Sequence, residues 1–270
     1  MKTGMIIKIA AVLSGASFIV SCSSGSSNQS AQTFQSGTAA PIIGGSNSTL
    51  DYQKQNGIVG VLMIYQDQMG QQMSAGCTSS LITKNVVVTA AHCLVAPKGA
   101  KLVQAVVYFS NDLSTVMDEI SNGNKSNVRP IDKVLRHEAY LQSEQSNNDI
   151  GLIHFAGTTP EGFQLATRAT HESAAAMKPG SSVTLAGFGV SDYKKDSKTG
   201  KLSGEGSGFL RQIDNIEVVS FSASGEEMTF DQSKGSGACH GDSGGPAYFL
   251  VQATQKPRLV TPTSSGFWVA

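Results

Sequence analysis

Short runs of β-branched and apolar residues recur along the chain from Pro41 onward, and clusters of Gly, Asn, Ser or Pro separate most of them. The runs that read as strands cover residues 58–65, 86–89, 102–109, 128–135, 150–155, 183–188, 210–219 and 248–251. Short strands joined by turn residues are typical of a sandwich or a barrel. The one helix that the pattern predicts is the Ala-rich segment 171–178, which Pro179 and Gly180 end. The fold class predicted is therefore all-β.

The composition narrows the classes of protein that this chain can represent. Of its 270 residues 40% are hydrophobic and 15% charged, enough apolar surface for a folded core. The 20 basic and 20 acidic residues cancel, so the electrostatic footprint of a nucleic-acid-binding protein is missing. With 29 glycines and 7% aromatic residues, the balance favours turns and short strands over long helices.

The N-terminus reads as an export signal at residues 1–21. Lys2 and Lys8 form a positive start, and an apolar stretch of signal length, too short to span a bilayer, runs from residue 9 to residue 20. Its end, Ile-Val-Ser-Cys, resembles the lipobox of bacterial lipoproteins, and this resemblance implies that Cys22 is lipidated and becomes the mature N-terminus. The alternative is an ordinary signal peptide cut near Ser21.

Residues 22–41 form a Ser-, Gly-, Gln- and Thr-rich run without periodicity, which predicts a flexible tether. If Cys22 carries a lipid, this tether anchors the protein to a membrane. The residue after Cys22 is not Asp, which for a lipoprotein of a Gram-negative cell favours the outer membrane and the periplasm. Either reading places the folded part in an oxidising compartment outside the cytoplasm, or in the medium after release.

Three short segments carry residues suited to catalysis: Thr-Ala-Ala-His-Cys at 89–93, Asn-Asp-Ile-Gly-Leu at 148–152 and Gly-Asp-Ser-Gly-Gly-Pro at 241–246. In this order they resemble the chymotrypsin-like (trypsin-like) serine proteases, and the resemblance extends from Ile42 to about Gly266. It implies a protease domain over residues 42–270 that consists of two six-stranded antiparallel β-barrels. It also implies a serine endopeptidase that acts on proteins or peptides, without a cofactor, as a monomer.

The residue types fit the chemistry. A serine hydroxyl is a weak nucleophile until a base accepts its proton, and a neutral imidazole is the side chain best matched to that task near pH 7. The resemblance assigns these roles to Ser243 and His92, and it assigns Asp149 to orient the imidazole and stabilise its charged form. The amides of Gly241 and Ser243 would bind the developing oxyanion.

Two other classes of protein fit part of this pattern. Gly-x-Ser-x-Gly at 241–245 also fits the nucleophile elbow of α/β-hydrolases, but those enzymes place the acid and the histidine after the serine. No His, Asp or Glu follows Ser243, so that fold is excluded. The remaining alternative is a non-catalytic binding or adhesion protein, or an inert fragment, on the same fold; such relatives usually lose a triad residue, and here all three are present.

The cysteines are also informative. With Cys22 assigned to the lipid, Cys77, Cys93 and Cys239 remain. The resemblance implies a Cys77–Cys93 disulfide that holds the loop with His92, and it leaves Cys239 outside a disulfide. A metal site is not expected, because the cysteines and the five histidines show no CxxC or HxxxH spacing.

Asp242 implies a mode of activation. In the family the equivalent carboxylate is buried and pairs with the α-amine of a newly formed N-terminus, which the resemblance assigns to Ile42. Pro41 precedes it, and no Arg or Lys lies between Lys8 and Ile42, so the expected cut after Pro41 is not made by a trypsin-like enzyme. The alternative is an uncleaved active protein in which a Lys or Arg replaces the amine.

The specificity pocket is read from three positions. Gly237 stands where members that prefer Arg or Lys keep an Asp, so a small or apolar residue before the scissile bond is expected. Ser264 and Gly266 resemble the wall that holds the substrate backbone. The family pattern continues beyond the point where this sequence stops, so we expect a domain that lacks its last part, with lower stability.

Overall fold

The computed structural model describes residues 42–140, 148–170, 174–197, 202–222, 227–251 and 256–262. The export signal, the tether, Cys22, Ser264 and Gly266 lie outside these ranges, as does part of the predicted helix at 171–178. No helix in the described ranges is long and apolar enough to cross a membrane.

The first half of the described chain forms a closed antiparallel barrel. Its strands are β2 (Ile58–Gln66), β3 (Gln72–Leu81), β4 (Val86–Thr89), β5 (Lys101–Tyr108), β6 (Val128–Arg136) and β7 (Gly151–Phe155). They close in the order β2-β3-β4-β7-β6-β5. Alternating side chains fill the interior, and the largest that are fully buried there include Phe109, Phe155, Leu81 and Ile153.

The second half forms a six-stranded sheet and a separate ribbon. The sheet contains β1 (Ser46–Asn47), β8 (Ser182–Gly187), β11 (Arg211–Phe221), β12 (Met228–Phe230), β13 (Pro246–Val251) and β14 (Lys256–Pro262). Its order is β1-β11-β8-β13-β14, with β12 paired to β11. The ribbon pairs β9 (Asp192–Lys195) with β10 (Leu202–Glu205). A closed barrel followed by a second antiparallel sheet confirms the all-β fold class.

Two helices occur that the sequence interpretation did not predict: α1 (Leu50–Asn56) and α2 (Leu113–Ser121). The Thr49 side chain accepts the Tyr52 amide and caps α1, and the Asp112 side chain caps α2 in the same way. The predicted helix at 171–178 is described only from residue 174, and residues 174 and 175 are helical. The caps of α1 and α2 precede short segments that bury one face against the strands.

A shared core joins the two halves. Tyr108 of β5 packs edge to face on Phe188, with ring centroids 5.1 Å apart. The Tyr248 hydroxyl of β13 donates a hydrogen bond of 2.6 Å to the carbonyl of Asn56. These buried contacts join the barrel to the second half of the described chain.

Candidate active site

Strand pairing brings His92 and Asp149 together. The end of β4 is paired with the start of β7, Thr89 opposite Gly151, so the residues just beyond β4 and just before β7 are neighbours. His92 begins a 3₁₀ turn three residues after Thr89, and Asp149 lies two residues before Gly151. Gly151 packs closely under this loop, and a Cβ there would lie 2.6 Å from Leu94 Cδ1, so the Leu94 side chain would have to move.

The Asp149 carboxylate contacts His92 through both oxygens. Oδ1 accepts the His92 main-chain amide at 2.8 Å, and Oδ2 lies 2.6 Å from Nδ1. The Asp149 side chain is 9% exposed and the His92 side chain 32% exposed, so the pair lies at the edge of solvent. A carboxylate held on Nδ1 places the proton of a neutral imidazole on that nitrogen and leaves Nε2 as a base.

Ser243 lies in a tight turn that precedes β13, and it is 5% exposed. Its carbonyl accepts the main-chain amide of Thr78 at 2.9 Å. The Cys93 sulfur lies 3.7 Å from the same carbonyl and 3.8 Å from His92 Nε2. The structure thus brings the serine turn to the histidine loop.

The backbone amides of the turn around Ser243 fall into two groups, those that donate a hydrogen bond within the turn and those that do not. The Asp242 amide donates to the Cys239 carbonyl at 3.0 Å, and the Gly245 amide donates to the Asp242 carbonyl at 2.8 Å. Within the described ranges, the Gly241 and Ser243 amides donate no hydrogen bond. Gly241 has φ +95°, in the left-handed region that favours glycine. These are the two amides expected to bind an oxyanion.

Asp242 is a buried carboxyl, 2% exposed, directly before Ser243. Its Oδ1 accepts the Gly189 amide and its Oδ2 accepts the Cys239 amide, each at 2.8 Å. Burial raises the pKa of Asp242 to about 7, against the opposing effects of these two amides and of the charge on Arg211. The carboxyl therefore shapes the turn, and its ionisation is costly in the form of the chain that the structure describes.

Ile42, the proposed amine donor, and Arg211 are both buried. Ile42 is 1% exposed, and the Gly237 amide donates to the carbonyl of the next residue, Ile43, at 2.9 Å. Arg211, 6% exposed, donates to the carbonyls of Gly189 and Gly206, and burial lowers its pKa. The sequence interpretation did not single out Arg211, since an arginine in a strand carries no recognisable motif.

The disulfide expected between Cys77 and Cys93 is present, with the sulfurs 2.05 Å apart. Together with His92 these cysteines form a cluster of potential metal ligands, but disulfide sulfurs are not thiolates. Cys239 is a buried cysteine outside any disulfide. The bridge joins β3 to the 3₁₀ turn that carries His92, so it fixes the loop of the proposed base.

Of the residues expected at the substrate pocket, Gly237 lies in the described ranges. Gly237 is buried, and a Cβ at this glycine would lie 2.0 Å from Gln232 Oε1, so the Gln232 side chain occupies the space that a side chain there would need. His240 is half-buried, and its carbonyl accepts the Val190 amide at 2.8 Å. His154 pairs with Asp132, and both side chains are exposed on the barrel surface.

A closed antiparallel barrel followed by a second antiparallel sheet is the fold class of the chymotrypsin-like serine protease family. A model of the family described as Trypsin matches residues 59–263. The chain therefore belongs to the Trypsin family.

Individual relatives are distant. A chymotrypsin of Phaedon cochleariae is 30% identical over 174 residues, which cover 63% of this chain and 58% of that protein. Phenoloxidase-activating factor 3 of Holotrichia diomphalia is 26% identical, covering 69% and 55%. CLIP domain-containing serine protease B10 of Anopheles gambiae is 28% identical, covering 76% and 58%. The chain thus spans less than two thirds of the length of these relatives.

Proposed function

We propose that this chain is an exported serine endopeptidase that cleaves peptide bonds through an acyl-enzyme intermediate. The observation that carries the proposal is the Nδ1 to Oδ2 distance of 2.6 Å between His92 and Asp149, beside the turn of Ser243. This imidazole is oriented by a carboxylate and lies next to a serine turn in which two amides donate no hydrogen bond within the described ranges. Such an arrangement is suited to acyl transfer.

In the first step, the Ser243 hydroxyl oxygen bonds to the substrate carbonyl carbon while its proton moves to His92 Nε2. The carbonyl electrons move to the oxygen, and the Gly241 and Ser243 amides stabilise the negative charge. The imidazolium then gives its proton to the leaving nitrogen as the C–N bond breaks. Water, deprotonated by the same imidazole, attacks the acyl group and releases the acid and the free serine.

Substrate preference follows from Gly237. Its place in the family pattern supports a pocket without a carboxylate, and the adjacent Gln232 side chain is neutral. A cationic substrate side chain would lose its hydration there without a compensating charge. We therefore propose preference for a small or apolar residue before the scissile bond, with Ser264 and Gly266 contacting the substrate backbone.

The proposal includes export and anchoring. The signal-like residues 1–21, the cysteine at position 22 and the polar run to residue 41 support a lipid-anchored protein of the outer membrane that faces the periplasm. The Cys77–Cys93 disulfide is compatible with an oxidising compartment. The intact mass of the native protein before cleavage at Ile42 tests this: a diacyl or triacyl adduct on Cys22 supports it, and a chain that begins near residue 22 without a lipid contradicts it.

Activation is proposed to follow cleavage of the Pro41–Ile42 bond. The new amine of Ile42 would then neutralise Asp242, whose burial otherwise opposes its charge. Arg211 supports the alternative, because its guanidinium is buried and its charge lowers the pKa of Asp242. N-terminal sequencing of the active enzyme separates the two: a start at Ile42 supports cleavage, and an active form that begins at Cys22 overturns it.

Peptide hydrolysis tests the activity. The chain that begins at Ile42 is incubated with a mixed peptide library, and mass spectrometry locates the new ends. Cleavage after small or apolar residues that disappears in Ser243→Ala supports the proposal. A folded wild-type protein that binds peptides without cutting them, with affinity unchanged in Ser243→Ala, is a binding protein.

A further inference from the structure

Thr78 of β3 is fully buried and bonded to three separate segments of the chain. Its amide donates to the Ser243 carbonyl at 2.9 Å, and its carbonyl accepts the Thr89 hydroxyl at 2.9 Å. Its own hydroxyl donates to the Gly241 carbonyl at 2.8 Å and accepts the Phe188 amide at 3.0 Å. One residue of the first barrel therefore meets the second half of the molecule at the serine turn.

These bonds connect the two sides of the site. On one side, Thr89 lies three residues before His92, and the neighbour of Thr78 in β3 is Cys77, whose disulfide reaches the histidine loop. On the other side, the Gly241 and Ser243 carbonyls alternate along the turn with the amides that are proposed to bind the oxyanion. Thr78 thus contacts both the segment that leads to His92 and the turn that carries Ser243.

The Thr78 side chain makes two hydrogen bonds that do not depend on the main chain of the strand. The two main-chain bonds of Thr78 can form with any residue in a strand, but the bonds to Gly241 and Phe188 need a hydroxyl that donates and accepts together. Phe188 precedes Gly189, whose amide holds Asp242. The hydroxyl therefore connects the Gly241 carbonyl to the segment that anchors the carboxyl of the same turn.

We propose that the Thr78 hydroxyl is a positioning group for the oxyanion turn, and this rests on the proposed peptidase function. Without the hydroxyl, the Gly241 carbonyl and the Phe188 amide lose a buried partner, and the turn shifts to find others. A small displacement of the amides that stabilise the transition state lowers kcat much more than it changes substrate affinity.

The test compares three variants of the chain that begins at Ile42. Thr78→Val keeps the shape and removes the hydroxyl, and Thr78→Ser keeps the hydroxyl and removes the methyl group. Ser79→Ala is the matched control, because the Ser79 hydroxyl is buried on the same strand and makes no hydrogen bond within the described ranges. Folding is checked by urea unfolding, and kcat and KM are measured on one peptide.

The expected result is a fall in kcat of about 10- to 100-fold for Thr78→Val, with KM within about threefold. Thr78→Ser and Ser79→Ala should keep kcat within about threefold of wild type. A folded Thr78→Val enzyme with wild-type kcat overturns the inference. If Thr78→Val does not fold, Thr78→Ser decides: a folded serine variant that loses kcat by 10-fold or more, roughly the loss expected for valine, overturns it.

An error in the proposed peptidase function gives a different experimental result from an error in the role of Thr78. It appears as a wild-type protein that is folded and begins at Ile42 but neither cuts peptides nor reacts with a serine-directed phosphonate, and it contradicts this inference as well. An active wild type with an equally active Thr78→Val variant contradicts only the positioning role.

Discussion

Asp149 holds both the main chain and the ring of His92: Oδ1 accepts the amide at 2.8 Å, and Oδ2 lies 2.6 Å from Nδ1. The first contact fixes the position of the residue and the second fixes the ring. This double attachment distinguishes the pair from His154 and Asp132, which meet through side chains alone and are 40% and 47% exposed.

Asp149→Asn should reduce kcat by about 10³- to 10⁴-fold while the fold is kept, because an amide on Nδ1 favours the tautomer whose Nε2 carries the proton. Asp132→Asn is the control, since it changes the second His–Asp pair in the same way and should leave kcat within about twofold. Steady-state kinetics on a single peptide checks both. Equal activity of Asp149→Asn and wild type would show that this carboxylate does not set the tautomer.

Gly244→Ala should disrupt the serine turn. Gly244 has φ +79°, and a Cβ there would lie 2.0 Å from Thr89 Oγ1 and 2.4 Å from the Thr78 carbonyl. We expect kcat/KM to fall by about 10²-fold or more. The control is Gly235→Ala, where φ is +71° but nothing lies within 4 Å of the added Cβ. Similar losses in both variants would attribute the effect to backbone strain and not to the crowded turn.

The Cys77–Cys93 bridge closes a loop with a sequence separation of 16. Replacing both cysteines by alanine should lower the free energy of unfolding by about 3 kcal/mol, because the unfolded chain gains the freedom of that loop. Urea unfolding measures the loss, and Cys239→Ala serves as the variant that removes a buried cysteine without breaking a bridge. A change below about 1 kcal/mol would mean that the bridge contributes little beyond the surrounding packing.

The stability of the uncleaved chain should depend on Asp242. Burial raises the pKa of this carboxyl from 3.8 to about 7, and the other ionisable groups that act on it are Cys239 and Arg211. At a pH between these two pKa values, the Asp242 carboxyl is protonated in the folded state and ionised in the unfolded state. The free energy of unfolding should therefore fall as pH rises from about 4 to about 7, by at most about 1.4 kcal/mol per pH unit.

Urea unfolding at several pH values checks this expectation, and Asp242→Asn is the control because it cannot titrate. In the uncleaved chain, the free energy of unfolding of wild type minus that of Asp242→Asn should decrease as the pH rises. In a chain that begins at Ile42, this difference should no longer decrease with pH if the new amine pairs with the carboxylate. The same slope in both forms would contradict activation through this pair.

Much of the fold was predictable because its buried strands are rich in β-branched residues. All eight runs predicted as strands coincide with strands, with small differences at their ends. β3 was not predicted, since Gln72–Leu81 contains mostly small and polar residues and is a strand because β2 and β4 pair with its backbone. Both helices were missed, although Thr49 and Asp112 cap them. For α2, the spacing of the buried Val116 and Ile120 was a further readable signal.

The site shows the same division. His92, Asp149 and Ser243 were named from local motifs. Thr78 was not, because its hydroxyl partners Phe188 and Gly241 lie 110 and 163 residues away in sequence, and a buried threonine next to a cysteine carries no local signal. Such contacts are set by packing between the halves of the molecule.

The most direct test is covalent labelling of the chain that begins at Ile42 with a peptidyl phosphonate, followed by peptide mass mapping. We expect one adduct per molecule, on Ser243, formed far more slowly in His92→Ala and absent in Ser243→Ala. A folded wild-type protein that takes up no phosphonate, or takes it up at another residue, would contradict the assignment of Ser243 as a nucleophile activated by His92.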